Sequence, residues 1–314
     1  MKLSHNRLAV IFNPVGGSAK SGMIEKLEAA CKTHGIELVK LTTTAEHGSA
    51  KRLSAKAVAR GDIDAVIACG GDGTACQAAE GLFGSGVPLA VFPAGTGNLF
   101  ARAFYASPVP ERFIAMIVHG QAQPVDMVRL ISVDKIGLPQ EQLFMVATGF
   151  GKISDAISFA TPRMKRIFGK LTYAVRMLAA SIKPNPLRYK LTPLLPDGQT
   201  DLQLKAVTVE ASALFALSAV PPSMLALSRG CNASDGLLDV VAIKANGFGS
   251  LLQFSARMAM GRPDTSSDYY RIRVVAVRIE TSSPVTPNID GDPGRSTNSM
   301  ELYVLPKAVQ IIVS

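Results

Sequence analysis

The chain contains no tryptophan, only 6% aromatic residues, four cysteines and four histidines. With so few rings, there is little from which to build the base-stacking platforms of single-stranded nucleic-acid binders, and no nucleic-acid partner is expected. The cysteines, Cys31, Cys69, Cys76 and Cys231, form no C-x-x-C pair, and the histidines are scattered. Zinc-site spacing is therefore missing, and free thiols in a reducing compartment are expected. No apolar run has the length that spans a bilayer, and Met1 to Arg7 leads straight into an apolar strand. Neither a membrane span nor a secretory leader is expected, which places the protein in the cytoplasm. The lysine of a P-loop is missing too, because Gly17 to Gly22 is followed by Met23. So is the third glycine of the dinucleotide fingerprint, where Cys76 stands.

What is present is a chain of 314 residues, 47% hydrophobic and 18% charged, enough for two domains with sizeable cores. The formal net charge of +9 favours an anionic partner such as a nucleotide, a nucleic acid or an acidic membrane surface.

The chain is organised around Ala65-Val66-Ile67-Ala68-Cys69-Gly70-Gly71-Asp72-Gly73-Thr74. The apolar run has the composition of a buried strand. It breaks into three glycines around one aspartate, and Ala75-Cys76-Gln77 opens a helix that runs to Phe83. Strand, glycine turn and helix N-terminus in that order make a phosphate site, because glycines let the backbone approach an anion and the free N–H groups of the first turn point at it. Thr74 can add a hydroxyl or cap the helix. Asp72 would repel phosphate unless a cation lay between them, so it points to Mg²⁺ on a nucleotide, or to a sugar or hydroxyl contact.

Other landmarks lie at the ends of further strands. Leu8 to Phe12 runs into Asn13-Pro14 and a glycine turn, and a helix then stops at Gly35. The strand Ile36 to Leu41 ends in Thr42-Thr43-Thr44, before a helix from about Gly48 to Arg60. The strand Pro88 to Phe92 opens into Pro93-Ala94-Gly95-Thr96-Gly97-Asn98 and another helix. Alternating strands and helices predict a parallel sheet whose carboxyl-end loops gather on one edge, where two of them can hold one nucleotide.

After Asp126 the texture changes to strands without long intervening helices: Met127 to Val133, Leu143 to Thr148, Leu187 to Leu195, Leu202 to Glu210, Leu237 to Ile243, Arg271 to Glu280 and Glu301 to Leu305. A largely β second domain is expected over 127–305. Between Arg163 and Lys190 there are eight basic residues and no acid, with apolar residues at helical spacing. That is a basic amphipathic helix, which suits an anionic bilayer or a solvated face on a packed helix.

Gly70-Gly71-Asp72-Gly73-Thr74 resembles the nucleotide loop of the diacylglycerol kinase-like lipid kinases, which include bacterial lipid kinases and eukaryotic diacylglycerol, sphingosine and ceramide kinases. NAD kinases and phosphofructokinases carry a related loop. Asn13-Pro14, Gly95-Thr96-Gly97-Asn98-Leu99, Gly149-Phe150-Gly151 before Asp155-Ala156, Asp235-Gly236-Leu237-Leu238 and Asp290-Gly291-Asp292-Pro293 follow in family order.

The resemblance implies a nucleotide-binding α/β domain over 1–126, to which a final strand at about 306–314 returns. It also implies a β-sandwich lipid domain over 127–305. It implies ATP and Mg²⁺ as cofactors, with the nucleotide held by Asn13, Thr44, Gly70, Gly71, Asp72, Gly73, Thr74, Ala75, Cys76, Gly95, Thr96 and Asn98. It implies a structural Mg²⁺ on the Asp235 side chain and the carbonyls of Asn232 and Leu237. The proton acceptor would be Asp292, where the family usually has glutamate, with Asp72 the second catalytic acid and Asp290 next in line as the base.

The activity implied is phosphorylation of a lipid hydroxyl at an anionic membrane surface, with the enzyme peripherally attached. An NAD kinase-like enzyme and a non-catalytic nucleotide- or lipid-binding module remain as alternatives. Oligomeric state is left open, with a homodimer among the options.

Overall fold

The computed structural model describes residues 4–14, 22–95, 98–104, 107–133, 137–151, 186–220, 228–245, 247, 249–250, 253–254, 257, 266–290 and 292–313. The basic segment from Arg163 to Lys183, the Asp155-Ala156 pair and Thr96 lie outside them. The chain divides into two units, 1–126 with 306–314, and 127–305.

The first unit is α/β. Its strands β1 (Arg7–Phe12), β2 (Glu37–Thr42), β3 (Ala65–Gly70) and β4 (Leu89–Pro93) pair in parallel in the order β2-β1-β3-β4. Helices α1 (Met23–Thr33), α2 (Ser49–Ala59), α3 (Asp72–Leu82), α4 (Leu99–Ala103) and α5 (Pro110–His119) connect or follow them. All six residues of β3 are buried, as expected of a central parallel strand covered on both faces. Residue Ile311, near the end of the chain, pairs in parallel with Leu89 of β4. The backbone N–H of Lys307 donates to the buried Asp126 carboxylate at 2.8 Å, which pins the start of that returning segment.

The order β2-β1-β3-β4 has a consequence for function. From β1 the chain steps outward to β2, and from β3 it steps the other way to β4. The carboxyl ends of β1 and β3 therefore flank the switch point of the sheet, the usual ligand position in open α/β sheets.

The second unit is β-sandwich-like. One sheet contains β8 (Leu187–Leu194), β9 (Val207–Ala211), β13 (Ala276–Val285) and the first part of β16 (Thr297–Val313), paired antiparallel. The antiparallel pair β5 (Gln121–Val133) and β6 (Pro139–Phe144) belongs to it as well. The other runs β12 (Tyr269–Val274), β11 (Leu238–Ile243), β10 (Ala213–Leu217), β7 (Ala147–Phe150), β14 (Asn288–Ile289) and β15 (Asp292–Pro293). Tyr189, Leu191, Val277, Ile279, Met300 and Leu302 from the first sheet form one core with Phe150, Leu214, Leu238 and Val240 from the second. Two inner faces interdigitating in this way define a sandwich.

Several expected elements come out differently. Leu143 to Thr148 is two strands, interrupted at Met145-Val146 because those backbone N–H groups turn toward Asp290. Arg271 to Glu280 is also two strands, broken at Val275. The expected strand from Leu202 begins only at Val207, and Leu202 is 94% exposed. Strand β10 has no polar alternation because Ala213, Phe215 and Leu217 pack in a second cluster with Val241 and Phe254, burying both faces.

Candidate functional site

Helix α3 begins at Asp72, three residues before the expected start, so the turn after β3 is Gly71 alone. That tightness depends on missing side chains. A Cβ on Gly70 would lie 2.6 Å from the Thr74 hydroxyl, and one on Gly95 would lie 2.3 Å from the Gly71 Cα. The loops after β3 and β4 therefore pack backbone against backbone, and the Ala94 N–H donates to the Gly70 carbonyl at 3.2 Å.

Polar side chains tie the same loops. The Asp72 carboxylate accepts the Phe100 N–H at 2.9 Å, capping the first turn of α4. Asn98 has φ 50° and folds its amide onto its own loop: its Oδ1 accepts the Gly95 N–H at 2.8 Å, and its Nδ2 donates to the Gly95 carbonyl at 2.9 Å. Sequence reading placed Asn98 on the nucleotide. In the structure its amide shapes the loop that would carry it.

On the other side of the switch point, the Asn13 N–H donates to the Cys69 carbonyl at 3.0 Å, and its side-chain Nδ2 donates to the Thr74 hydroxyl at 3.0 Å. With its oxygen accepting from Asn13, Thr74 keeps its proton available to donate. The Thr44 N–H donates to the Ser49 hydroxyl at 3.0 Å, which fixes the turn between β2 and α2.

These loops enclose a cleft of about 290 Å³ lined by Asn13, Thr43, Thr44, Ala45, Glu46, His47, Ser49, Ala50, Thr74 and Gln77. It gathers Asn13, Thr44 and Thr74, which come from three separate strand ends. Gly70, Gly71, Asp72, Gly73, Ala75, Cys76, Gly95 and Asn98 do not line it. The Ala75 and Cys76 side chains are buried in the core, so what α3 can offer there is backbone N–H.

Sequence reading missed Glu46, His47, Ser49 and Gln77. Gln77 sits three residues after Thr74 on the same helix face, a spacing visible in the sequence. Glu46, His47 and Ser49 follow β2, so the strand-end rule applied to Thr44 covers them. Among the described residues no lysine or arginine lines the cleft. Its hydroxyls, its amides and the Glu46 carboxylate suit the donors of a polar group such as a sugar or base, which leaves an anion to backbone N–H groups.

Three of the four thiols are held protonated. Burial pushes Cys69 up to about 12 and Cys31 up to about 11. Cys231 is raised by burial first and then by Asp239. A thiol held protonated is neither nucleophile nor metal ligand.

In the second unit Asp292 is exposed on β15, paired with Ile289 of β14. Asp290 differs sharply. It is buried, with φ 47°, and its carboxylate accepts the N–H groups of Met145, Val146 and Ala147 at 2.8, 3.0 and 2.9 Å. A carboxylate so occupied is a clamp, so Asp290 is not the reserve base that the sequence offered.

At the expected metal position, Asp235 Oδ1 accepts the Leu237 N–H at 3.0 Å and Oδ2 is paired with Arg273. The Asn232 side-chain oxygen accepts the Ser234 N–H at 3.1 Å. Among the described residues no three His, Cys, Asp or Glu side chains group as a metal site, and no helix is long and apolar enough to cross a membrane.

Comparison with known proteins covers both units. Residues 7–130 match the diacylglycerol kinase catalytic domain, and residues 145–313 match the YegS C-terminal NAD kinase beta sandwich-like domain. A diacylglycerol kinase of Mycobacterium tuberculosis is 27% identical over 312 residues, covering 98% of this chain and 94% of that protein. A crystal structure of a diacylglycerol kinase from Bacillus anthracis superposes with a TM-score of 0.73 at 20% identity, covering 100% of this chain and 99% of that one. Yeast NADH kinase, solved with NADH, superposes with a TM-score of 0.53 at 12% identity, over 98% of this chain and 83% of that one, and so shares the fold alone.

Proposed function

Because the chain belongs to the family that joins a diacylglycerol kinase catalytic domain to a YegS-type C-terminal domain, we propose that it transfers the γ-phosphoryl group of ATP to a lipid hydroxyl. The acceptor would be of the diacylglycerol, ceramide or sphingoid type, taken from an anionic membrane surface. The observation that carries the nucleotide half of the reading is the cleft at the switch point between β1 and β3, where Asn13, Thr44 and Thr74 converge beside the N-terminus of α3.

In this reading the polar cleft takes the nucleoside. The phosphates run toward Gly71, Gly73 and the first N–H groups of α3, with Gly95 packed against Gly71. Magnesium carried with the nucleotide would supply charge neutralisation at the transferring group. Asp72 holds the two glycine loops in register and puts a carboxylate at the phosphate end. Asp292 accepts the proton of the lipid hydroxyl, which its exposed carboxylate can do once the acceptor is within hydrogen-bond reach. Transfer of this kind depends mostly on positioning and electrostatics, and glycine loops with few reactive side chains are suited to that.

The test is incubation of the full chain with labelled ATP and a total-lipid extract, followed by identification of the labelled species. A phosphorylated lipid is the expected result. The fold shared with yeast NADH kinase favours a second reading, and labelled NADP in a parallel incubation with NAD would replace the first with it. ATP binding with no product in either incubation would leave a nucleotide-binding module.

A further inference from the structure

We infer that the guanidinium of Arg273 stands in for the structural divalent cation expected at Asp235, so that the turn 232–237 is held in place by an internal ion-pair network and needs no metal. The network is built on paired strands, since Asp239 of β11 lies opposite Arg273 of β12. Asp239 is 1% exposed, and a buried carboxylate must be paired. Arg271 meets it through Nη2 at 2.7 Å and Nε at 2.8 Å. Arg273 turns Nε toward the same oxygen at 3.2 Å and an Nη toward Asp235. One planar guanidinium thus bridges two carboxylates, one on the turn and one on the strand, a geometry that its fork of donors fits and a lysine cannot copy.

The donor set argues against a metal on the same carboxylate. Asp235 has one oxygen on the Leu237 N–H and the other on Arg273. A hard cation needs about six oxygen ligands. Here it would have to sit against a guanidinium or displace it. Displacement would strip the buried Asp239 of one of its two guanidinium partners. Two arginines and two aspartates already sum to zero, so an added divalent ion would leave the cluster strongly positive.

This inference is independent of the lipid-kinase reading, and no activity enters its test. The nucleotide-free full chain is melted in millimolar magnesium and in EDTA, and magnesium uptake is followed by titration calorimetry. The wild type is expected to melt at the same temperature in both, with no stoichiometric uptake.

In EDTA, Arg273→Gln is expected to melt several degrees lower. Magnesium should restore part of the loss, because the two carboxylates then lack their shared cation. Arg273→Lys, which keeps the charge but not the fork, should fall in between. A wild-type midpoint that drops by several degrees in EDTA, or one Mg²⁺ bound per chain without nucleotide, overturns the inference. So does an Arg273→Gln protein with the wild-type midpoint. If Arg273→Gln does not fold, the wild-type comparison still decides.

Discussion

Asp72, the first residue of α3, accepts the backbone N–H of Phe100 in α4 at 2.9 Å, so the acid of one glycine loop caps the helix that follows the other. Two motifs that read as separate phosphate contacts in sequence are one mechanical unit. Helix α4 has five residues and no side-chain cap of its own at Asn98, which makes the Asp72 contact its main anchor at that end.

Two substitutions separate brace from charge. Asp72→Ala should lose the cap, costing about 1 kcal/mol of stability, together with nearly all turnover. Asp72→Asn keeps an oxygen for the Phe100 N–H and removes the charge, so it should melt near the wild type and still turn over slowly. Melting temperature and kcat measured side by side decide the matter. Near-normal turnover in Asp72→Asn would reduce Asp72 to a brace.

Gly95→Ala tests the contact between the loops. The added methyl would meet the Gly71 Cα at 2.3 Å and the Gly71 nitrogen at 3.0 Å, both backbone atoms that cannot rotate away. Destabilisation of roughly 1–3 kcal/mol is expected from such overpacking, with weakened nucleotide affinity. Gly84→Ala serves as the contrast. Nothing lies within 4 Å of its added Cβ, and φ there is +70°, so it should lose only the strain of the left-handed backbone and leave affinity alone.

The two aspartates of the Asp290-Gly291-Asp292 turn should separate by readout. Asp290→Ala abandons three N–H donors and also places Ala at positive φ, so a stability loss of roughly 3 kcal/mol or more is expected. Asp290→Asn tolerates the backbone and keeps one acceptor oxygen, so it should lose less. Asp292→Asn should melt like the wild type but turn over roughly 10²–10⁴-fold more slowly, the usual worth of a general base, with ATP affinity unchanged. Asp292→Glu keeps a carboxylate and should retain activity. Full activity in Asp292→Asn would remove the base from this position.

Membrane attachment can be tested through the basic segment. Replacing Lys165, Arg166 and Lys170 with Gln should weaken binding to anionic vesicles and leave ATP binding intact. Binding by the wild type should fall as salt rises, since surface charges are screened over about 10 Å at 0.1 M. Equal binding to neutral and anionic vesicles, insensitive to salt, would assign that segment to packing alone.

What the sequence determined by itself was local and periodic. Apolar runs ending in Asn13, Gly70 and Pro93 announced parallel strands with loops at their carboxyl ends. The short strands after Asp126 announced a β domain, because alternation and glycine punctuation act over a few residues. The sequence also supplied Thr44 and Thr74 as candidate contacts.

Tertiary structure decided which of these groups meet and which are already spent. Strand β10 escaped notice because burial on both faces erases alternation. Asn98 and Asp290 look free in sequence, yet one closes its own loop and the other clamps three backbone N–H groups of a segment about 145 positions away. Asp235 reads as a metal ligand in sequence, and in the structure Arg273, thirty-eight positions on, is paired with its carboxylate. A side chain's type says what it can bond. The pairing of distant strands sets which partner it has, and that depends on register and burial across the whole sheet.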